Sequence, residues 1–254
     1  MRFPQIFSLE GETALITGGG TGIGQAIAQC MYEAGATVAL VGRREEELSR
    51  AVSELGERAH YFVHDITEMD QADRLATRVE GKLGPITCLV NNAGKHLKKA
   101  ALETSTDEFL AVLNTNVIGT HALIKAIAPG MVERQKGSIL FTASMASLFG
   151  IPQVIAYSAA KSAHLGMVRS LSTELSPNGV RVNAIAPGWI ETEMSRKALD
   201  NDQARKDKIL GRTPMHKLGQ PSDVGWAAVY LASPAAAFIT GTILPVDGGA
   251  SIGF

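Results

Sequence analysis

TALITGGGTGIG, residues 13–24, runs from an apolar stretch through a cluster of glycines into an apolar helical pattern. Thr, Ile and Leu in short runs suit a pleated, buried surface, so Thr13–Thr17 reads as a strand. Glycine lacks a Cβ and lets the chain turn sharply, so residues 18–24 read as a tight turn that opens a helix near 23–34. The strict G-x-G-x-x-G spacing is absent. In its place stands T-G-x-x-x-G-x-G, with Gly18, Gly22 and Gly24. The physical requirement is still met, because a bare backbone and a helix start present N–H groups and a positive dipole end to a pyrophosphate. Gly18, Thr21, Gly22, Ile23 and Gly24 are therefore the first candidates for contact with a dinucleotide.

Further strand candidates follow at Thr37–Val41, His60–His64, Cys88–Val90, Ser138–Thr142, Arg181–Ile185 and Ile243–Val246. Helical patterns lie between them near 45–55, 70–83, 107–134, 156–175 and 222–232. The strands are rich in Val, Ile and Leu without clean alternation, as in a parallel sheet covered on both faces. The repeated strand-then-helix order predicts an α/β fold: a single-domain, doubly wound parallel sheet (Rossmann fold) of about seven strands over residues 1–254. A densely charged segment at about 189–220 breaks the rhythm. It is either a solvated helical excursion or a mobile lid over a site.

A dinucleotide site of this kind is read further at the end of the second strand, where a carboxylate bonds the ribose 2′-hydroxyl of NAD. Here the chain reads Val41-Gly42-Arg43-Arg44, with no acid before Glu45. Forked guanidiniums match a 2′-phosphate in charge and geometry, so Arg43 and Arg44 predict NADP(H), with NAD possible in its place. Thr21 stands where a further basic residue would have helped.

The 254 residues carry a net charge of −1, and nothing global points to nucleic acid as a partner. Cys30 and Cys88 lie in apolar segments without a CxxC spacing and read as core packing in a reducing compartment. No signal peptide is visible at the N-terminus, and the expectation is a cytoplasmic protein without a membrane partner. Val224–Val246 is uncharged and long enough to span a bilayer. Pro234, Gly241 and the polar Ser233, Thr240 and Thr242 interrupt it, so a core helix followed by a buried strand is the better reading. No histidine or cysteine has a partner at metal-ligand spacing: His60 and His64 flank a strand, and His121 and His164 lie in helical patterns as packed or solvated residues. His216, near the charged segment, is open.

AYSAAKSAH, residues 156–164, places Tyr157 and Lys161 on one face of a helix. Taken alone, the pair also fits an ordinary amphipathic helix. Together with the glycine loop, Asn91-Asn92-Ala93-Gly94, Ser144, Pro187-Gly188 and the Val246-Asp247-Gly248-Gly249 ending, in this order, the chain resembles the short-chain dehydrogenase/reductase family from about Leu9 onward. The resemblance implies that Ser144 polarises a substrate oxygen, that Asn116 holds a water in a proton relay, and that Tyr157 and Lys161 exchange the proton. It also implies an adenine contact from Asp65, with Ile66 beside it, ribose contacts from Asn92 and Lys161, a grip on the nicotinamide carboxamide by Ile190 and Thr192, and further cofactor contacts from Gly94, Tyr157, Pro187 and Gly188. Asn91 is expected to bond neighbouring backbone. Ala143 departs from relatives that carry a second serine there and leaves Ser144 intact. The chemistry is coherent: hydride transfer at an alcohol carbon needs a proton exchanged at oxygen, and a nearby ammonium favours the phenolate of a tyrosine whose ordinary pKa is near 10.

The implied activity is hydride transfer between nicotinamide and a secondary alcohol/ketone small-molecule substrate, in a homotetramer with two-fold axes. A non-enzymatic dinucleotide sensor and an epimerase or dehydratase with a retained cofactor are the rival readings. Lys95-His96-Leu97-Lys98-Lys99 follows the fourth strand at the rim where ligands bind in this fold. The resemblance links a basic pair here to sugar-acid and keto-deoxy sugar-acid reductases, which makes His96, Lys98 and Lys99, with Trp189, the substrate candidates. A solvated loop is the alternative. A 3-oxoacyl thioester or a neutral sugar is the alternative substrate.

Overall fold

The computed structural model describes residues 4–193, 195–196 and 203–253. Its strands are β1 (Thr13–Thr17), β2 (Thr37–Gly42), β3 (Ala59–Val63), β4 (Cys88–Asn91), β5 (Gly137–Thr142), β6 (Val180–Pro187) and β7 (Ile243–Val246). All pair in parallel, in the order β3-β2-β1-β4-β5-β6-β7. The expected doubly wound sheet is present, and each strand lies within two residues of its sequence-based position.

Helices α1 (Gly22–Glu33), α2 (Glu45–Leu55) and α3 (Ala72–Leu83) follow the first three strands. Next come α4 (Thr106–Leu113), α5 (Gly119–Glu133), α6 (Ile155–Leu175), α7 (Gln203–Arg212) and α8 (Pro221–Ala232). Alternate strand residues feed two separate cores. Leu15, Val41, Leu89, Ile139 and Phe141 pack with Leu75, Val79, Leu123, Ile127 and Val168 from α3, α5 and α6. Ala14, Ile16, Leu40, Val90 and Leu140 pack with Ile27, Met31, Leu48, Val224 and Ala228 from α1, α2 and α8. Both faces are dry, which is why the strands show no alternation in sequence. Each fully buried Leu, Ile or Phe contributes roughly 1.5–3 kcal/mol.

Two expectations need correction. The stretch 107–134 is not one regular helix, because a π turn at Asn114–Ile118 joins α4 to α5 and Pro129 lies inside α5. Asn116 is the local cause: its Nδ2 donates to the Val112 carbonyl one turn back and to the Lys95 carbonyl, competing with the helical ladder. The strand at 243–246 is half-buried with Pro245 exposed, since β7 is the sheet's edge. By length and composition the Thr106–Glu133 segment could also cross a membrane; here its Leu123, Ile124 and Ile127 are buried against the sheet.

Strand order reverses between β1 and β4, so the chain leaving β1 and the chain leaving β4 diverge and open a crevice at their carboxyl ends. The glycine loop and Asn91–Gly94 form its two walls. The charged segment contains α7, whose exposed surface covers a buried Ile209; positions 194 and 197–202 of the expected lid lie outside the described residues.

Candidate active site

The glycine loop has the shape a pyrophosphate needs. Gly18 and Gly22 adopt positive φ, 67° and 58°. A Cβ on Gly24 would lie 2.2 Å from the Gly18 carbonyl oxygen and 2.5 Å from Asn92 Nδ2. Thr21 precedes α1 without capping it, so the first N–H groups of that helix have no side-chain acceptor and face the crevice. Thr192 Cγ2 lies 3.8 Å from the Cβ position of Gly22, placing Thr192 opposite the loop. Thr192 is itself held by its main-chain N–H to Ser195 Oγ at 2.8 Å. Ile190 is buried beside it, and Gly188 N–H bonds the Val246 carbonyl, where a side chain would strike Asp247 Cα at 2.6 Å. These residues fit the dinucleotide that the sequence predicts.

Past β2, Arg44 Nη2 donates to Thr21 Oγ1 at 3.3 Å and approaches Glu47 at 3.7 Å, while Arg43 pairs with Asp65 at 3.5 Å. Both guanidiniums are mostly exposed. Burial works upward on the Asp65 carboxyl, but hydrogen bonds from Thr67 and Arg43 outweigh it and hold the pKa below the usual range. Ile66 is buried in the core.

The backbone tie expected of Asn91, the last residue of β4, is made by Asn92. Asn92 Nδ2 donates to the Thr17 carbonyl at 2.9 Å, tying this wall to the glycine loop, and Asn92 and Ala93 N–H both donate to Thr17 Oγ1. Asn91 is buried and neither side-chain atom has a hydrogen-bond partner. Strand pleat explains this: neighbouring side chains point to opposite faces, and only Asn92 reaches the loop.

Ser144, Tyr157 and Lys161 meet above the sheet. Ser144 follows β5 and its Oγ accepts from Ala146 N–H at 3.1 Å. Tyr157 and Lys161 share a face of α6, with Lys161 Nζ 5.7 Å from the Tyr157 ring centroid. Lys161 is buried and donates to the Thr142 carbonyl at 2.6 Å. Desolvation pushes its pKa down to about 7. Burial pushes the Tyr157 phenol up, and the hydrogen bond with Ser144 offsets this only in part. The ammonium of Lys161 is turned to the Thr142 carbonyl, so burial and Ser144 dominate the phenol's shift. Asn116 is fully buried, with Oδ1 unpartnered, and a Cβ on Gly94 would lie 2.6 Å from that oxygen and 3.7 Å from Lys161 Nζ. Asn116 and Lys161 therefore flank one glycine.

From the basic loop, Lys95 meets this group through its main-chain carbonyl, bonded by Asn116, and His96 through its ring, whose centroid lies 4.7 Å from that of Tyr157. Lys98 is exposed. Lys99 Nζ contacts both Glu108 oxygens at 2.9 Å, and Glu108 also completes the capping box of α4 with Ser105. Lys99 is thus an anchor of the loop, whose base is further fixed by its own N–H to the Gln153 carbonyl. Trp189 lines a cavity of about 600 Å³ with Met215, Lys217 and Asp223, apart from Tyr157 and Ser144. The sequence reading missed Thr17 and Thr142, whose contributions come through one hydroxyl and one carbonyl that no spacing reveals. Among the described residues no cluster of His, Cys, Asp and Glu could hold a metal ion.

Comparison with known proteins agrees with this geometry. The family profile described as Enoyl-(Acyl carrier protein) reductase matches residues 18–251. A 2-dehydro-3-deoxy-D-gluconate 5-dehydrogenase of Pseudoalteromonas atlantica is 39% identical over 247 residues, covering 96% of this chain and 97% of its own. The 3-oxoacyl-(acyl-carrier-protein) reductase of Vibrio harveyi is 36% identical, covering 95% and 98%. A gluconate 5-dehydrogenase of Burkholderia cenocepacia, solved with NADP and tartrate, superposes with a TM-score of 0.93 at 34% identity, covering 98% and 99%. By the profile match over most of its length and by these identities, the chain belongs to the short-chain dehydrogenase/reductase family of NAD(P)-dependent oxidoreductases.

Proposed function

We propose that the protein is an NADP(H)-preferring oxidoreductase acting on the secondary alcohol/ketone of a small polyhydroxylated or keto acid. The observation that carries this is the meeting of Ser144, Tyr157 and Lys161 beneath His96, at the mouth of the crevice. Bound nicotinamide supplies the hydride or takes it up. In reduction, Ser144 orients the substrate oxygen, Tyr157 delivers its hydroxyl proton there, and Lys161 steadies the phenolate that remains. The phenolate regains its proton from the Lys161 ammonium, which is itself reprotonated from solvent through a water that Asn116 would hold. The sugar-acid relatives, one of them solved with the dicarboxylate tartrate, support an acidic substrate. The thioester reductase relative supports a 3-oxoacyl thioester as the second reading. Net consumption of added NADPH separates either from a sensor or a cofactor-retaining epimerase.

For the cofactor, Arg43→Asp should raise the Michaelis constant for NADPH at least about tenfold more than that for NADH, the scale of one charged hydrogen bond. Equal effects on both would take the 2′-phosphate away from Arg43. For the substrate, Lys98→Ala should raise the Michaelis constant for a gluconate-type acid about tenfold, with added salt reproducing part of the loss. Lys99 is the wrong site for this test because its substitution would also loosen the α4 cap. Activity confined to neutral ketones and indifferent to Lys98 would overturn the acidic-substrate reading.

The assembly we favour is a homotetramer with two-fold axes, formed through the continuous segment from α4 through the π turn to α5, where Leu110 and Ile118 are exposed, through α6, where Ile155 is exposed, and through the C-terminal end, where Ile252 is exposed. A monomeric mass by light scattering at micromolar concentration would refute it. A cytoplasmic setting accords with two buried free thiols, Cys30 and Cys88, whose pKa values burial raises to about 11 and about 12.

A further inference from the structure

His164 lies three residues after Lys161 on α6, so the two share a helical face. It is 1% exposed, and its Nε2 lies 2.7 Å from the main-chain carbonyl oxygen of Asn116 in the π turn. A carbonyl only accepts, so Nε2 carries the proton. The other ring nitrogen, Nδ1, is buried without a hydrogen-bond partner. The Phe141 ring, 5.2 Å away between centroids and tilted by 55°, fixes the plane of the imidazole.

We propose that His164 is a positioning residue for proton transfer: its Nε2–H clamps the Asn116 carbonyl and so holds the π turn in place beside Lys161. The clamp has a second arm, since Asn116 Nδ2 is tied to the Lys95 and Val112 carbonyls. Asn116 is thereby fixed from α6, from α4 and from the loop after β4. Because Asn116 Oδ1 and Lys161 Nζ flank the same glycine, a shift of the π turn changes the position of Asn116 relative to the lysine. A π turn needs such a hold, because its wider ring is intrinsically less favourable than the α-helical turns on either side.

Histidine suits the position better than a lysine or arginine. Burial first, and the charge of Lys161 second, push its pKa down to about 3, against the upward pull of the Asn116 and Thr142 carbonyls. The ring therefore donates a hydrogen bond while neutral and adds no second positive charge next to a lysine that is already hard to keep protonated. An ordinary space-filling histidine would need neither the Nε2–H tautomer nor a partner in the relay.

The inference rests on reading Lys161 and Asn116 as proton-handling groups. The test compares His164→Leu, which keeps volume and deletes the donor, with His164→Gln, whose amide nitrogen takes the place of Nε2. The expected result is a kcat about tenfold lower in the Leu variant with the Michaelis constant for NADPH within about twofold of wild type, and recovery to within about threefold in the Gln variant. Wild-type kcat in the Leu variant overturns the proposal, as does a Gln variant no better than Leu when both melt like wild type. Should the Leu variant fail to fold, ¹⁵N imidazole spectra of the NADPH-bound wild type decide. His164 should then stay in the Nε2–H tautomer from about pH 5 to 8; an Nδ1–H tautomer or a titrating ring overturns the proposal. Lys161→Ala separates the two layers: retained turnover there removes the proton-handling reading and this inference with it, whereas an inactive Lys161→Ala beside a normal His164→Leu removes the inference alone.

Discussion

Tyr157→Phe should lower turnover by about 10³-fold while NADPH still binds within about twofold of wild type, because the change deletes one transferable proton and almost no volume. The phenol hydroxyl beside Ser144 is the only part lost, and the ring stays packed under His96. The same pair sets a pH dependence of opposite sign in the two directions. Reduction needs Tyr157 as phenol, the form that burial favours, and Lys161 as ammonium, which burial holds only to about pH 7. Reduction should therefore decline as pH rises past about 7. Oxidation, which must remove a proton from the alcohol, should climb over the same range. The apparent pKa values belong to the coupled pair. Rates in both directions measured against pH check this, and slopes of the same sign would exclude the scheme, as would a Phe variant keeping a tenth of the wild-type rate.

Gly24→Ala should be the most damaging single methyl in the crevice. Its Cβ would sit 2.2 Å from the Gly18 carbonyl and 2.5 Å from Asn92 Nδ2. Neither atom can retreat easily: Gly18 holds a left-handed turn, and Asn92 is bonded to Thr17. Either the loop moves or α1 does, and both moves displace the N–H groups meant for the pyrophosphate. Expected are a loss of about 1–3 kcal/mol in stability from overpacking and at least about tenfold weaker NADPH binding. Thermal melts with and without NADPH measure both. A variant that melts like wild type and gains the same thermal shift from NADPH would show that the glycine loop is not the phosphate cradle. Tyr157→Phe is the natural control, since it should keep that shift.

Much of this was legible in one dimension. Strand positions followed from apolar runs between turn residues, and the doubly wound order from their alternation with helices, because burial on both faces leaves a local composition signal. The glycine loop was legible because a steric demand, the absence of Cβ, is written in residue identity. Tyr157 and Lys161 share a face by helical period alone. The loop 95–99 was legible as basic but not as to which residue serves the site: charge counts do not show that Lys99 is committed to Glu108 while His96 reaches Tyr157. The π turn was hidden because it depends on Asn116 meeting Lys95, twenty-one residues away in sequence.

The sequence by itself determined the fold class, the cradle and the identity of the reacting groups, since each depends on neighbours within a few residues or on a local period. Tertiary structure decided their electrostatic state and their neighbours. Lys161 turns to the Thr142 carbonyl, Tyr157 is made a weaker acid, Asn92 ties to Thr17 while Asn91 is buried without a partner, and His164 reaches the Asn116 carbonyl across forty-eight positions. Desolvation and long-range hydrogen bonds are properties of what surrounds a side chain in three dimensions, and the surroundings exist only once the sheet has brought the ends of β1, β4 and β5 together.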